Sequence, residues 1–446
     1  MATLLIENAL LVNEGKIQSA DVFIRNERIE KIAPSLSGIK AQRHINAEGL
    51  YLFPGVIDDQ VHFREPGLTH KANIQSEARA AVAGGTTSFM EMPNTKPATL
   101  TQELLQDKYD IAARTSLANY SFFMGASNDN LEEVLKTNAS NVCGVKIFMG
   151  SSTGNMLVDN EQTLENIFSK SPMLIATHCE DELTIMVNTE NYKTLSYNKL
   201  KPEYHHLIRN ERACWVSSSM AVGLAKKHNT RLHVLHLTTT DELSLFDNTI
   251  PLEQKRITAE VCVHHLWFTA NDYAKHGNDI KCNPAIKAPR HREALWAALL
   301  DNRLDIIATD HAPHTREEKN QPYVQAPAGL PLVQHSLQMM LQAHANGRIS
   351  LERIAEKMAH APAVCFRIKE RGFVREGYFA DLVLVDLNRP YTITPQNILH
   401  RCGWSPLENE TMNASITHTI VSGHLAYENG VFNENKMGER LEFVVE

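Results

Sequence analysis

Residues 55–67 read GVIDDQVHFREPG. An apolar run leads into Gln60, Val61, His62, Phe63 and Arg64, and alternation along a strand places Gln60, His62 and Arg64 on one face. A histidine and an arginine at the end of a buried strand suit a pocket that holds a metal and an anion. A glutamine where a second histidine is expected does not. Seven further β-type runs follow: TTSFMEM, NYSFFMG, CGVKIFMG, MLIATHC, RLHVLHL, RITAEVCV and LDIIATD. Most are followed by helical stretches such as 71–83, 101–116, 130–139, 159–170, 210–228 and 290–301. Eight alternating units predict an α/β fold, a (β/α)8 barrel of the TIM type. An open doubly wound sheet is the alternative, but no GxGxxG turn supports a nucleotide-binding version of it.

The flanks have a different texture. Residues 3–50 hold short β-type runs with no long helix, and the chain after Gly372 is similar, with FADLVLVD and THTIVSGHLAYENGVF. Both ends are expected to pair into one small β-sandwich domain. The predicted boundaries are 1–53 for its N-terminal part, 54–365 for the barrel and 366–446 for its C-terminal part.

Composition narrows the class. The 446 residues are 43% hydrophobic and 22% charged, as in an ordinary soluble globular protein, and a chain of this length favours more than one core. The net charge of −8 without a basic block argues against a nucleic-acid partner. Seven scattered cysteines without a CxxC pair fit a reducing compartment. No basic leader and no apolar stretch of membrane-spanning length is visible, so a cytoplasmic protein without a membrane partner is expected.

Active sites of such barrels lie at the C-terminal ends of the strands, and the chemistry-bearing residues fall there. Strand 1 ends in His62 and Arg64, and strand 2 runs into MPNTKP with Asn94. Strand 4 carries Lys146, strand 5 ends at His178, strand 6 at His236, and strand 8 at Asp310 followed by HAPH. A lone strand-end histidine is more often packed than functional, but six strand ends together point to a shared site. His62, His178, His236 and Asp310 offer the imidazole nitrogens and carboxylate oxygen of a catalytic zinc site, which keeps a position open for water. Lys146 fits less simply. Its ammonium cannot ligate a cation, which leaves a lysine paired with a carboxylate or one converted by CO₂ to an anionic carbamate.

The segments HFREPG, MPNTKP, GVKIFMGSSTG, THCE, LHLTT and TDHAPHTREEK resemble the amidohydrolase superfamily and, within its cyclic-amidase branch, the dihydroorotases. The resemblance covers the barrel from Pro54 to about Pro362 and extends to the flanking β domain. MPNT together with HAPH favours dihydroorotase over allantoinase and hydantoinase. It implies reversible opening of (S)-dihydroorotate to N-carbamoyl-L-aspartate, a step of pyrimidine biosynthesis, with water activated by metal and Asp310 as general acid–base. By the same resemblance, one or two zinc ions are bound, the first by His62 and Asp310 and the second by His178 and His236. Carboxylated Lys146 matches the bridge between them. Arg64, Asn94 and His314 match the residues that hold the substrate carboxylate. Asn283 and the backbone at 328–329 match further substrate contacts. The expected partner is the small-molecule substrate, with self-association into a homo-oligomer, a dimer.

The family's first strand reads His-x-His where this chain has Gln60-Val61-His62. A glutamine ligates only through its amide oxygen, a weaker donor than imidazole for zinc. Three readings stay open: a looser first metal with Gln60 ligating weakly or through water, a one-metal enzyme, or a non-catalytic homologue kept as a scaffold. Elsewhere, His264 and His265 read as groups that orient a ligand or as surface or capping residues, His205 and His206 have no evident partner, and REEKNQ (316–321) reads as a solvated charged loop. Cys179 and Cys282 read as packed residues.

Overall fold

The computed structural model describes residues 2–150 and 155–445; the SSTG end of the GVKIFMGSSTG motif, 151–154, lies outside the described residues. Eight parallel strands form the barrel: Val56–Val61, Thr86–Glu91, Asn119–Phe122, Val145–Phe148, Ile175–His178, Leu232–Val234, Ile257–Cys262 and Ile306–Ala308. The first three pair in order, and the fourth to eighth do the same. Met124–Gly125 extends the third strand onto the fourth. The ring closes just past the strand ends, where Val61 bridges His311 in parallel and the His62 amide donates to the His311 carbonyl at 2.7 Å. Strands such as Val145–Phe148 are buried at every position, as expected when helices cover one face and a packed interior the other.

The helices begin where the sequence supplies caps. Asn73, Thr101, Asn160, Asp181 and Asn210 each accept a backbone N–H of the first turn, and losing such a cap costs about 1 kcal/mol. The stretch expected at 130–139 shortens to Leu131–Leu135. Among the described residues no helix is long and apolar enough to cross a membrane.

The barrel interior divides into two ends. Ile57, Met90, Phe123, Leu174, Ala176 and Ile306 pack with Phe366 and Ile368 into an apolar floor. The residues that line the cavity lie at the other end. Both chain ends join one nine-stranded sheet. Within it Thr3–Asn13 pairs Tyr51–Pro54, which pairs Leu382–Asp386, which pairs Ser415–Val421. Period-two alternation makes this sheet two-sided. Leu382 and Leu384 face its own core with Leu4, Ile6 and Val22, whereas Val383 and Val385 join the large core shared with the barrel.

Candidate active site

A cavity of about 630 Å³ at the C-terminal end of the barrel is lined by Gln60, His62, Arg64, Asn94, Lys146, His178, His236, Asn283, Asp310 and His314, together with the backbone segment at Ala328 and Gly329. The residues expected from the sequence to hold metal or substrate therefore line one cavity. Simple strand alternation does not account for the arrangement. The first strand ends at Val61, and Arg64 reaches the cavity through a backbone turn at φ +69. His236 (φ +40) and Asp310 (φ +47) also sit in the left-handed region. Non-glycine residues there cost roughly 1–3 kcal/mol each, and such outliers concentrate at functional sites.

The hydrogen bonds define which imidazole nitrogens are free. His62 donates from Nδ1 to Asn94 Oδ1 at 2.7 Å, which leaves the Nε2 lone pair facing Asp310 Oδ1 at 3.0 Å. Two acceptors in that position need a cation, a proton or a metal, between them. His178 donates from Nε2 to Glu180 at 2.9 Å, leaving its Nδ1 lone pair 3.0 Å from His236 Nε2. A carboxylate on the far nitrogen is the usual way a metal-binding histidine is oriented. Donor pairs on one tetrahedral zinc ion lie about 3.3 Å apart, given bonds of about 2.0–2.1 Å, so the spacing of both pairs suits the metal. Burial lowers the basicity of His62, His178 and His236, which keeps them neutral and able to ligate.

Lys146 is buried, with its ammonium 4.5 Å from the Phe148 ring centre. Among the described residues it has no carboxylate within ion-pair distance. Burial pushes its pKa down to about 7, against the opposing pull of Asp310 and Glu260. This environment raises the share of the uncharged amine, the form that reacts with CO₂, far above that of an exposed lysine at neutral pH. Gln60 is buried, and its amide oxygen faces the Cys262 thiol at 3.7 Å. That contact is weak, so the oxygen remains exchangeable.

In the same cavity Arg64 donates to the Pro313 carbonyl at 3.1 Å and lies 3.1 Å from His314 Nε2. Burial lowers the Arg64 pKa to about 10, so it is still a cation at neutral pH. Because Asn94 uses its oxygen on His62, its amide N–H groups remain available as donors.

Several supporting residues escaped the sequence reading. Glu180 orients His178 and also meets Arg209. Glu260 accepts the His236 amide at 3.0 Å. Glu91 accepts the Phe63 amide at 3.0 Å and is ion-paired to Lys108 with both side chains buried. Removing one partner of such a pair costs about 3–5 kcal/mol. Other readings need correction. His205 is partnered, lying 2.8 Å from the Tyr323 hydroxyl and 3.1 Å from Asn283 Oδ1. His264 and His265 are buried, which removes the surface reading. The 316–321 segment is not simply solvated: Lys319 is buried and donates to the carbonyls of Lys281, Pro327 and Gly329. Cys179 and Cys282 are buried with thiol pKa values raised by burial, as packed residues should be.

The barrel, its end-formed β domain and this pocket define a hydrolase scaffold, and the chain belongs to the amidohydrolase family, whose model matches residues 51–426. It is 31% identical to the dihydroorotase of Pyrococcus abyssi over 430 residues, 96% of each chain. It is also 29% identical to the allantoinase of Solibacter usitatus over 452 residues, 99% of this chain and 97% of that one. Among solved structures, the L-hydantoinase (dihydropyrimidinase) from Arthrobacter aurescens superposes with a TM-score of 0.93 at 25% identity, covering 99% of this chain and 100% of that one.

Proposed function

We propose that this protein is a zinc-dependent dihydroorotase, opening the ring of dihydroorotate reversibly to N-carbamoyl-aspartate. The observation that carries this reading is the cationic part of the pocket, where Arg64, His314 and the Asn94 amide line the same cavity as the metal ligands. Dihydroorotate has a cyclic amide and a carboxylate on the same ring. Hydantoin and allantoin have the cyclic amide and lack the carboxylate, so they would leave the buried Arg64 charge unpaired.

His62 with Asp310, and His178 with His236, would hold one or two zinc ions, with carboxylated Lys146 between them. Bound zinc supplies polarisation of the ring carbonyl and a water acidic enough to react near neutral pH. Arg64 grips the substrate carboxylate through its planar fork, Asn94 adds a neutral amide donor, and His314 braces the Arg64 side of the pocket. This clamp presents the carbonyl carbon to the attacking water. Asp310 takes a proton from that water as the C–O bond forms. It returns the proton to the ring nitrogen as the C–N bond breaks, giving a ureido group and a carboxylic acid that ionises to the carboxylate by releasing the second water proton to solvent.

Arg64→Met tests the clamp. KM for dihydroorotate is expected to rise by about 100-fold, the scale of a lost charge-assisted pair, while activity on hydantoin, however low, does not fall in proportion. An unchanged KM would remove Arg64 from carboxylate binding.

In this reading Gln60 is a weak ligand of the first zinc. Gln60→His is expected to raise zinc retained after dialysis against a mild chelator, and Gln60→Ala to lower it, because imidazole is the better zinc donor. Equal zinc content in all three proteins would make Gln60 a lining residue only.

A further inference from the structure

His205 is buried, and each of its ring nitrogens has a defined partner. Nε2 lies 2.9 Å from the Cys282 carbonyl oxygen and 3.1 Å from Asn283 Oδ1. Nδ1 lies 2.8 Å from the Tyr323 hydroxyl. A backbone carbonyl only accepts, so Nε2 carries the hydrogen. A hydroxyl donates or accepts, so Tyr323 makes no competing demand on the other nitrogen. Burial, with the Arg209 and Lys281 charges nearby, holds His205 well below the usual histidine range, so the ring is neutral and Nδ1 accepts from Tyr323. The imidazolium would keep the same Nε2–H.

That hydrogen decides which way the Asn283 amide lies. Shared between two acceptors, it suits Oδ1 beside it; the flipped amide would set an NH₂ group against an N–H. Asn283 lines the cavity and His205 does not, so the amide oxygen is taken from outside and the NH₂ is the arm left for a ligand. The geometry points to His205 as a positioning residue that holds Asn283 as an N–H donor toward a carbonyl or carboxylate oxygen of the bound substrate. With the amide reversed, its oxygen would face and repel that same oxygen.

The local fold holds the three groups together. Cys282 and Asn283 are consecutive, so one N–H reaches the carbonyl of the first and the side chain of the second. Lys281, the residue before them, donates to the carbonyls of Tyr323 at 2.7 Å and Ala326 at 2.5 Å, which ties the Tyr323 segment to the same stretch of chain. Burial pushes the Tyr323 phenol up to about 12, so its hydroxyl keeps the proton that Nδ1 accepts. None of these contacts depends on the substrate. The inference deepens the proposed function and rests on it in one respect, that the substrate bound in this cavity offers an oxygen to Asn283.

A double-mutant cycle on the full zinc-loaded chain tests it, run on dihydroorotate with hydantoin and allantoin in parallel. His205→Phe is expected to raise KM about tenfold with kcat within about twofold, and His205→Gln, which keeps an N–H for Asn283, to recover most of the loss. In an Asn283→Ala background the effect of His205→Phe is expected to shrink to within about twofold, because His205 acts through the amide. Asn283→Asp keeps an oxygen for His205 and replaces the NH₂ by a second oxygen, so its KM is expected about tenfold above that of Asn283→Ala. Histidine-selective ¹⁵N–¹H spectra without substrate, with His205 assigned by its loss in His205→Gln, are expected to show hydrogen on Nε2. An Nε2 without hydrogen overturns the inference, as does a His205→Phe effect that is absent or that persists undiminished in Asn283→Ala. An Asn283→Asp KM at or below that of Asn283→Ala also overturns it, and that comparison leaves His205 in place. The expected coupling on hydantoin or allantoin, in a protein that does not turn over dihydroorotate, would uphold the positioning role and contradict the substrate reading.

Discussion

Asp310→Asn is expected to lower kcat on dihydroorotate by about 10²–10⁴-fold, the usual loss when a general acid–base is removed, while the fold and most bound zinc remain. The swap keeps the side-chain volume in a buried position. An amide oxygen can still face His62 Nε2, where the carboxylate oxygen lies at 3.0 Å. It cannot take a proton from water and return it to the ring nitrogen. The measurement is single-turnover and steady-state kinetics at saturating zinc, with metal content and thermal melting recorded on the same samples. A variant that keeps more than about a tenth of the wild-type kcat would remove Asp310 from the proton transfer. A variant that loses its zinc outright would make Asp310 primarily a ligand.

Lys146→Ala is expected to lose more than about 100-fold in zinc affinity and in activity, because the residue is assigned as the anionic bridge of the site. The structural premise is specific. Lys146 is buried, and among the described residues its ammonium has no carboxylate within ion-pair distance. A buried unpaired charge is expensive, so the side chain is stable there as a neutral amine or as a carbamate next to a cation. Lys146→Met separates bridge from packing, since it keeps the apolar stem and is expected to lose zinc as well. Short carboxylic acids such as propionate are expected to restore part of the activity of Lys146→Ala by occupying the place of the carbamate. Normal zinc binding by either variant would show that Lys146 does not bridge.

The polar end of the barrel was legible because the fold confines chemistry to the strand ends, so His178, His236 and Asp310 could be grouped from position alone. Long-range partnerships around the pocket were not legible. Lys71 and His314 are separated by 243 positions, and His205 and Tyr323 by 118; nothing local to either partner announces the pairing. Glu91 and Lys108 read as ordinary charged residues of a strand and a helix, and only the closed barrel shows that they are buried together. The helix Ser336–Ala345 was missed for a related reason. Seven of its ten residues are buried, so it lacks the broad polar face by which a surface helix shows its period. Arg64 was placed correctly for an incomplete reason, since a left-handed turn after Val61 and not strand alternation brings it to the cavity. Lys319 shows the opposite error: a charged segment reads as solvated, yet this lysine is buried and ties three backbone carbonyls beside the pocket.

The most direct test of the account is the substrate preference of the zinc-loaded protein, measured as kcat/KM for dihydroorotate by ultraviolet absorbance, with hydantoin and allantoin assayed in parallel. A site built to pair a carboxylate discriminates strongly against ligands that lack one. The expected result is dihydroorotate turnover with kcat/KM about 100-fold or more above either alternative. A zinc-loaded protein that prefers hydantoin or allantoin, or that hydrolyses none of the three, would contradict it.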